Sequence, residues 1–491
     1  MRISLLLALI LFSGTTIAAE PFDRGAWQQD YVQLKTELTD RYSNLAWKAS
    51  GAGGVDLPAL DRKTTAALAS ASDDAEAADA IRAFITGFHD GHLSELPLLA
   101  AASAQAIEPE KPTLSPDASA GGCASLGYAS TAPVAFSLPL EGLPSFQLVS
   151  DGLGSTFRTG LVVRSGVRLG VIRIQAFRAR AFPASCLHAW ADLRRAGRAI
   201  TPETIMEAAR MRWFQDMTAA VTELRQAGAT ALVIDIGNNS GGDDSGDWTA
   251  RLFTDHAVRS ARLLMVDAPL AAGYFDSEVS DIDAALPSIR PPAAKAALAE
   301  ARSFFVDQKN SIGQHRCDLS WSWRERRPWS PLNCNRLLTA GYAGGYSAGL
   351  QRGAYGSDKT AGTLASSSIV DAYYGTWSGP TYVLADRRSY SSAEMFAAVM
   401  QDNHIAKLVG DRTGGDGCGF MTDGVPIVLR HSRLRFRVPN CMRLRADGSN
   451  EEAGIAPDLP VLPTEGESDR ARGERALRLI AEDVSSKPIQ K

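Results

Sequence analysis

Several things are scarce in this chain of 491 residues, and each scarcity removes a class of function. After residue 19 no apolar run is long enough to cross a bilayer, so stable membrane insertion is not expected. There is no basic tail or patterned basic helix, and acids and bases are interspersed around a formal net charge of −4, which argues against a nucleic-acid partner. The chain has seven histidines and six cysteines, with no CxxC pair and no Cys/His cluster at zinc-ligand spacing. Neither a metal nor any other cofactor is expected. The glycine turn NNSGGDDSG also lacks the G-x-x-x-x-G-K-[ST] order and the lysine of a phosphate loop.

What is present begins with a leader. Arg2, the apolar SLLLALILF and the small residues up to Ala18 and Ala19 read as a secretory signal over 1–19, with no cysteine to carry a lipid anchor. The expected location is therefore periplasmic or extracellular. Cys123, Cys186, Cys317, Cys334, Cys418 and Cys441 then invite disulfides. The sequentially nearest grouping is 123–186, 317–334 and 418–441, although sequence alone leaves the pairing open.

Between Trp27 and about Leu99 the pattern is helical, with Tyr31, Leu34, Leu38 and Tyr42 on one stripe and a second helix around 75–88 that ends at FHDGHLS. Residues 100–122 are rich in Ala, Pro and Ser and read as an irregular crossing. Short β runs occupy 124–180, a helix follows at 202–227, and ALVIDI at 231–236 is a buried-strand candidate that leads into the glycine turn. A mixed segment, 256–376, holds an Ala-rich helix and Trp321, Trp323 and Trp329, which we read as a small disulfide-pinned core in preference to a binding surface.

The most informative stretch is TYVLADRRSYSSAEMFAAVMQD, from Thr381 to Asp402. A β-favouring run meets Ser389, Ser391 and Ser392, and an apolar-striped helix follows at once. A serine where a strand turns into a helix has its hydroxyl lifted clear of the backbone and set near the helix's free N–H groups. Serine also caps helices without any chemistry, so this stretch alone does not establish a nucleophile.

Four separated motifs together resemble the tail-specific and tricorn-like serine peptidases of family S41: HDGHLS at 89–94, LVIDIGNNSGG at 232–242, SYSSAEMFAAVMQD with LVGDRTGG at 389–415, and NEEAGIAPD at 450–458. The resemblance implies that Ser391 attacks, with Ser389 and Ser392 at flanking positions. In the processing-peptidase branch the base is a lysine of the following glycine loop, but here that position is Asp416, which excludes a Ser/Lys dyad. The tricorn-like branch implies instead a serine–histidine–glutamate arrangement. His92 is then the base, with His89 as alternative, since imidazole suits reversible proton transfer near neutral pH. Glu451 would orient the ring, Glu452 being the alternative. Glu394 is expected to cap or position the nucleophile helix. The N–H groups of Gly241 and Ser392 are the expected oxyanion hole, with Gly242 shaping the turn and Asp235 orienting it.

The implied fold is mixed α/β (α+β) with a ClpP/crotonase-like core, an N-terminal helical domain and an additional small β region. The corresponding boundaries are 20–115 helical, 116–195 β-rich without a convincing PDZ module, 196–475 core with the insertion at 256–376, and 476–491 tail. The implied activity is endopeptidase hydrolysis of a peptide or unfolded protein through an acyl-enzyme. Two rivals remain: a secreted peptide-binding protein of the same fold without turnover, motivated by Asp416, and an esterase, because a serine triad does not by itself choose amide over ester.

Overall fold

The structure is a computed structural model that describes residues 21–98, 114–115, 117–128, 136–314, 317–333, 335–356, 359–422 and 424–486. The expected leader and residues 100–113 lie outside that set. Three long helices, Arg24–Arg41, Leu57–Ser70 and Asp74–Thr86, precede the first strand of the described residues, with a single-turn helix, Leu45–Lys48, between the first two. Each long helix starts at an aspartate (Asp23, Asp56 or Asp73) whose carboxylate accepts an N–H of the first turn, which satisfies one of the helix's orphan donors. Tyr31, Leu34, Leu38 and Tyr42 are buried along the stripe that the sequence marks. Trp321 and Trp323 pack into the same cluster, and Trp323 donates its indole N–H to Thr39 Oγ1 at 2.9 Å. The tryptophans of the insertion thus serve as core, joining it to the N-terminal helices.

A seven-stranded sheet runs through the rest of the chain. In spatial order its strands are Leu459–Pro460, Lys407–Gly410, Thr381–Ala385, Ala231–Asp235, Val167–Arg173, Arg158–Arg164 and Phe146–Asp151. The first five pair in parallel and the last two join antiparallel. Alternation splits the side chains between two faces. Leu232 and Ile234 meet Trp213 and Phe396 from the helices Pro202–Gln226 and Ser392–Asp402, while Val233 meets Leu477 and Ile480 of the helix Asp469–Ser486. Both faces are dry, which is why ALVID reads as a continuous apolar run.

Two three-stranded antiparallel sheets lie outside this one. Ser94–Leu96, Arg435–Arg437 and Ile427–Val428 form the first, and Cys441–Leu444, Arg262–Val266 and Leu337–Tyr342 the second. The helices Ala272–Ala285 and Pro292–Asn310 cover the second sheet within the insertion.

The expected ClpP/crotonase-like core with an additional small β region is corrected by this architecture, which is α+β. The β runs after residue 145 do not stand apart. Val167–Arg173 pairs antiparallel with Arg158–Arg164 on one side and parallel with Ala231–Asp235 on the other. The physical reason lies in the strand itself: Leu169, Val171 and Ile172 are all fully buried, and only a sheet covered on both faces accommodates apolar residues of both parities.

Disulfides join Cys123 to Cys186 and Cys418 to Cys441, and Cys317 is also disulfide-bonded, while Cys334 lies outside the described residues. No helix among the described residues is long and apolar enough to cross a membrane, and none of their His, Cys, Asp and Glu side chains cluster in a way that could hold a metal ion.

Candidate active site

The site forms where Thr381–Ala385 and Ala231–Asp235 end, at the carboxyl edge of parallel strands. After Ala385 the chain crosses to the helix Ser392–Asp402, and Ser391 stands at its N-cap with φ 55° and ψ −113°. Such a backbone is costly for a residue with a Cβ and persists only where its surroundings over-determine it. The surroundings also separate the three serines. Ser389 is buried, donating to Ile236 O at 2.8 Å, and Ser392 donates to Asp243 O at 2.5 Å. Ser391 Oγ instead lies 3.2 Å from His92 Nε2.

His92 is delivered by a turn at the end of the third helix. Asp90 shapes that turn: Oδ1 accepts the N–H groups of His92 (2.9 Å) and Leu93 (3.3 Å), and Oδ2 accepts from Tyr42 OH (2.7 Å). The ring's other nitrogen, Nδ1, is 3.1 Å from the main-chain carbonyl of Asp416. A proton on Nδ1 directed at that carbonyl leaves Nε2 as the acceptor facing Ser391, the tautomer that proton abstraction requires. Position 416 therefore contributes its backbone, and an acidic residue there is compatible with a Ser–His pair. Its side chain accepts from Gly91 N at 2.9 Å, which ties the glycine loop to the histidine turn.

Glu394 holds this loop. Fully buried, it accepts from Ser391 N (3.0 Å), Thr413 Oγ1 (2.7 Å), Gly415 N (2.7 Å), Asp416 N (2.9 Å) and Gly417 N (3.1 Å). Burial pushes its carboxyl up to about 7, against the pull of these donors. A closed circuit results, from Ser391 Oγ to His92, to the Asp416 peptide, to Glu394 and back to Ser391 N. Glu394 thus ties the Ser391 N–H to the glycine loop.

The two candidate acids do not meet the ring. Glu451, fully buried, pairs through Oε2 with Arg443 Nε at 2.6 Å, and its Oε1 accepts no hydrogen bond from the described residues. Arg443 Nη2 donates to Gly417 O at 2.9 Å and approaches Ser391 O at 3.4 Å, so Glu451 bears on the site through a guanidinium. Glu452 turns toward the N-terminal helices, pairing with the buried Lys48 at 2.7 Å and accepting from Asn44 Nδ2 at 3.2 Å. Burial and the nearby Asp90 carboxylate push the Glu452 carboxyl up, while Lys48 pulls it back. The carboxylate beside Nδ1 is that of Asp90, at 3.9 Å. His89 is exposed; its N–H donates to Thr86 O at 3.1 Å and its carbonyl accepts from Lys48 Nζ at 3.3 Å.

On the oxyanion side, Gly241 has φ 97°, and a Cβ there would fall 2.7 Å from Ser391 Cβ, so only glycine fits. Its N–H, however, donates to Asn239 Oδ1 at 2.8 Å. The N–H groups of Gly242 and Ser392 line the same cleft and donate to no acceptor among the described residues. Asp235 lies beneath the turn, bonded to Gly237 N at 2.9 Å and to Arg173 at 2.5 Å; burial lifts it to about 6 and the arginine opposes that rise.

Asp90, Lys48 and Arg443 were not anticipated. Arg443 left a trace in the sequence, since a charged residue inside the otherwise apolar CMRL strand needs a buried partner. The cleft encloses about 460 Å³, and Cys418 in its wall is tied to Cys441 two residues before Arg443. Replacing both cysteines by alanine is expected to lower stability by about 2–3 kcal/mol in urea unfolding. The same change should slow covalent labelling of Ser391, because the loop that orients His92 ends at Cys418. An unchanged labelling rate would show that the loop does not need the bridge.

Residues 304–461 match the model of peptidase family S41, a span that includes Ser391, Glu394, Asp416, Arg443 and Glu451. Over that span the chain is similar to the serine-type peptidases of family S41. It acts by hydrolysis on peptide substrates. Among solved structures, a CPAF mutant is 15% identical, with 95% of this chain and 99% of that chain covered and a TM-score of 0.57. Mature CPAF in complex with lactacystin is 13% identical, covering 94% and 99% with a TM-score of 0.54, and mature CPAF alone is 14% identical, covering 94% and 98% with a TM-score of 0.52. At these identities the likeness concerns the fold alone, and it sets the α+β architecture of this chain with that of CPAF instead of a ClpP/crotonase-like core. A search of curated protein sequences found no match.

Proposed function

We propose that the chain is an exported endopeptidase in which Ser391 is the nucleophile and His92 the general base. Ser391 Oγ attacks the peptide carbonyl while Nε2 takes its proton. The proton then passes to the leaving amine, and water releases the acyl-enzyme by the same route. The N–H groups of Ser392 and of the Gly241–Gly242 turn receive the anionic oxygen, with that of Gly242 the better placed of the two glycines. The Asp416 carbonyl fixes the ring. Glu451 acts through Arg443, which holds the carbonyls of Ser391 and Gly417. The observation that carries this reading is the 3.2 Å approach of Ser391 Oγ to His92 Nε2 from a strained helix start.

Export agrees with the disulfides, which persist in oxidising compartments. The natural substrate in this reading is a peptide or an unfolded protein, because the cleft must receive an extended main chain. Incubation of the mature protein with a reduced, unfolded protein, followed by mass mapping of the fragments, is expected to give internal cuts that Ser391→Ala abolishes. Hydrolysis of activated esters without any peptide cut would favour the esterase reading and sink this one.

A further inference from the structure

We propose that Asp90 is the positioning residue whose negative charge supports the His92 imidazolium, the part that the resemblance gives to Glu451. The inference rests on the Ser391–His92 reading and goes beyond it. When Ser391 Oγ bonds to the substrate carbonyl carbon, its proton moves to His92 Nε2. The ring then carries a positive charge until the leaving amine takes that proton. The Asp416 carbonyl on Nδ1 fixes the tautomer but brings no charge to meet the cation.

Asp90 is the carboxylate placed to meet it. Its Oδ1 lies 3.9 Å from Nδ1, and its side chain is fully buried, so water does little to screen the pair. The turn itself sets this distance, because the same oxygen accepts the N–H groups of His92 at 2.9 Å and Leu93 at 3.3 Å. Oδ2 accepts from Tyr42 OH at 2.7 Å. That hydroxyl stays a donor, since burial first, and then the Asp90 and Glu452 charges, push its ionisation well above the ordinary tyrosine range. Three donors thus converge on Asp90 and none of them is a cation, which leaves its charge for the ring.

The other charges around the ring are committed elsewhere. In the turn Glu451–Ala453, Glu451 is paired with Arg443, and Glu452 with Lys48 of the single-turn helix. Glu394 is spent on its five donors, and Arg437 stands on the far side of the Phe420 ring from which His92 is approached edge-on. The rival is Asp416, whose carboxyl accepts from Gly91 N at 2.9 Å and also feels His92. Burial pushes the Asp416 carboxyl up, against the pull of the Gly91 N–H and of His92, and Asp90 adds to the rise. Of the two carboxyl groups, Asp90 is therefore the better carrier of charge. Gly91 lets them come so close: a Cβ there would fall 2.4 Å from Asp416 Oδ2.

The test follows the ring itself. With the histidine Cε1 carbons isotopically labelled, the His92 magnetic resonance signal is the one missing from His92→Ala, and its shift against pH gives the ring's titration midpoint. A pH–activity profile alone is a poorer readout, because Glu394, lifted to about 7 by burial, shapes one too. Asp90→Asn keeps the geometry, since its carbonyl accepts the same N–H groups and its NH₂ donates to the Tyr42 oxygen. It is expected to lower the midpoint by about one pH unit, and to slow fluorophosphonate labelling of Ser391 at alkaline pH by about tenfold. Asp416→Asn and Glu451→Gln should each move the midpoint less. Tyr42→Phe frees Asp90 Oδ2 and retains the charge, so it should move the midpoint upward, and it serves where Asp90→Asn fails to fold. A midpoint unmoved in Asp90→Asn, a larger fall in Asp416→Asn or Glu451→Gln, or a fall in Tyr42→Phe would each overturn the proposal. Wild-type labelling separates two failures. Protein that labels at Ser391 while these midpoints disagree defeats this inference alone. Protein that does not label, or labels as fast in His92→Ala, defeats the reading beneath it.

Discussion

Ser391→Ala is expected to lower kcat for peptide cleavage by at least about 10⁴-fold, with KM changed little. The size follows from what the substitution removes and from the lack of a substitute nearby. Ser389 Oγ is spent on Ile236 O and Ser392 Oγ on Asp243 O, so neither hydroxyl can take over the attack without dismantling the turn that forms the oxyanion side. Alanine at 391 leaves Ser391's main-chain partner, Glu394, in place, so the fold and the cleft persist and the loss reports chemistry. His92→Ala should fall by a similar factor, and the double variant should be no worse than the singles, because the two side chains act as one unit. Ser392→Ala, which loses one hydrogen bond, should keep most of the activity. Comparable losses at 391 and 392, or multiplicative losses for 391 and 92, would contradict the assignment.

The second large effect is at Glu394. Removing this carboxylate strands the N–H groups of Ser391, Gly415, Asp416 and Gly417 and the hydroxyl of Thr413 in a buried setting. Each orphaned donor costs about 1–3 kcal/mol where water does not reach it, so Glu394→Ala is expected to lose upwards of about 4 kcal/mol in urea unfolding. Glu394→Gln should also be damaging, because its NH₂ would face N–H groups where an oxygen now accepts. The carboxylate's role has a second readout. Protein that remains folded should label slowly at Ser391, since the Asp416 carbonyl that orients His92 belongs to the released loop. A Glu394→Gln enzyme with ordinary stability and labelling would mean that the five contacts are incidental.

How far the sequence spoke depends on whether side chains or main chain carry each feature. The turn that carries Ser391 was legible because a β run, a serine cluster and a helix stripe together describe a strand–turn–helix, while the choice among its three serines came only through the resemblance. His92 was legible only through the resemblance, since nothing local distinguishes it from His89 until the Asp90 turn points one ring inward and leaves the other exposed. The support for His92 was out of reach for a different reason: it is a carbonyl, and every residue type at 416 offers one. Glu451 and Glu452 were close in sequence to a credible role, yet successive side chains of the 3-10 turn Glu451–Ala453 point apart, and each found a buried cation, Arg443 or Lys48, that sequence spacing could not place beside it.

In the fold, burial stripes located the first helices and the apolar ALVID strand. The β segments at 146–173 show residue by residue where strands form, but not which sheet receives them. That choice is made by pairing across some sixty residues of chain, from Leu169 to Ala231, and it turned an expected separate region into the edge of the central sheet.

The central claim is that Ser391 is activated by His92. Intact-mass analysis of the mature protein after exposure to a fluorophosphonate, with Ser391→Ala and His92→Ala beside it, tests that claim directly. The account predicts a single adduct on the wild type, mapped to Ser391 and absent from both variants. Folded wild-type protein without an adduct at Ser391, or an adduct at Ser391 that forms as fast in His92→Ala, would contradict it.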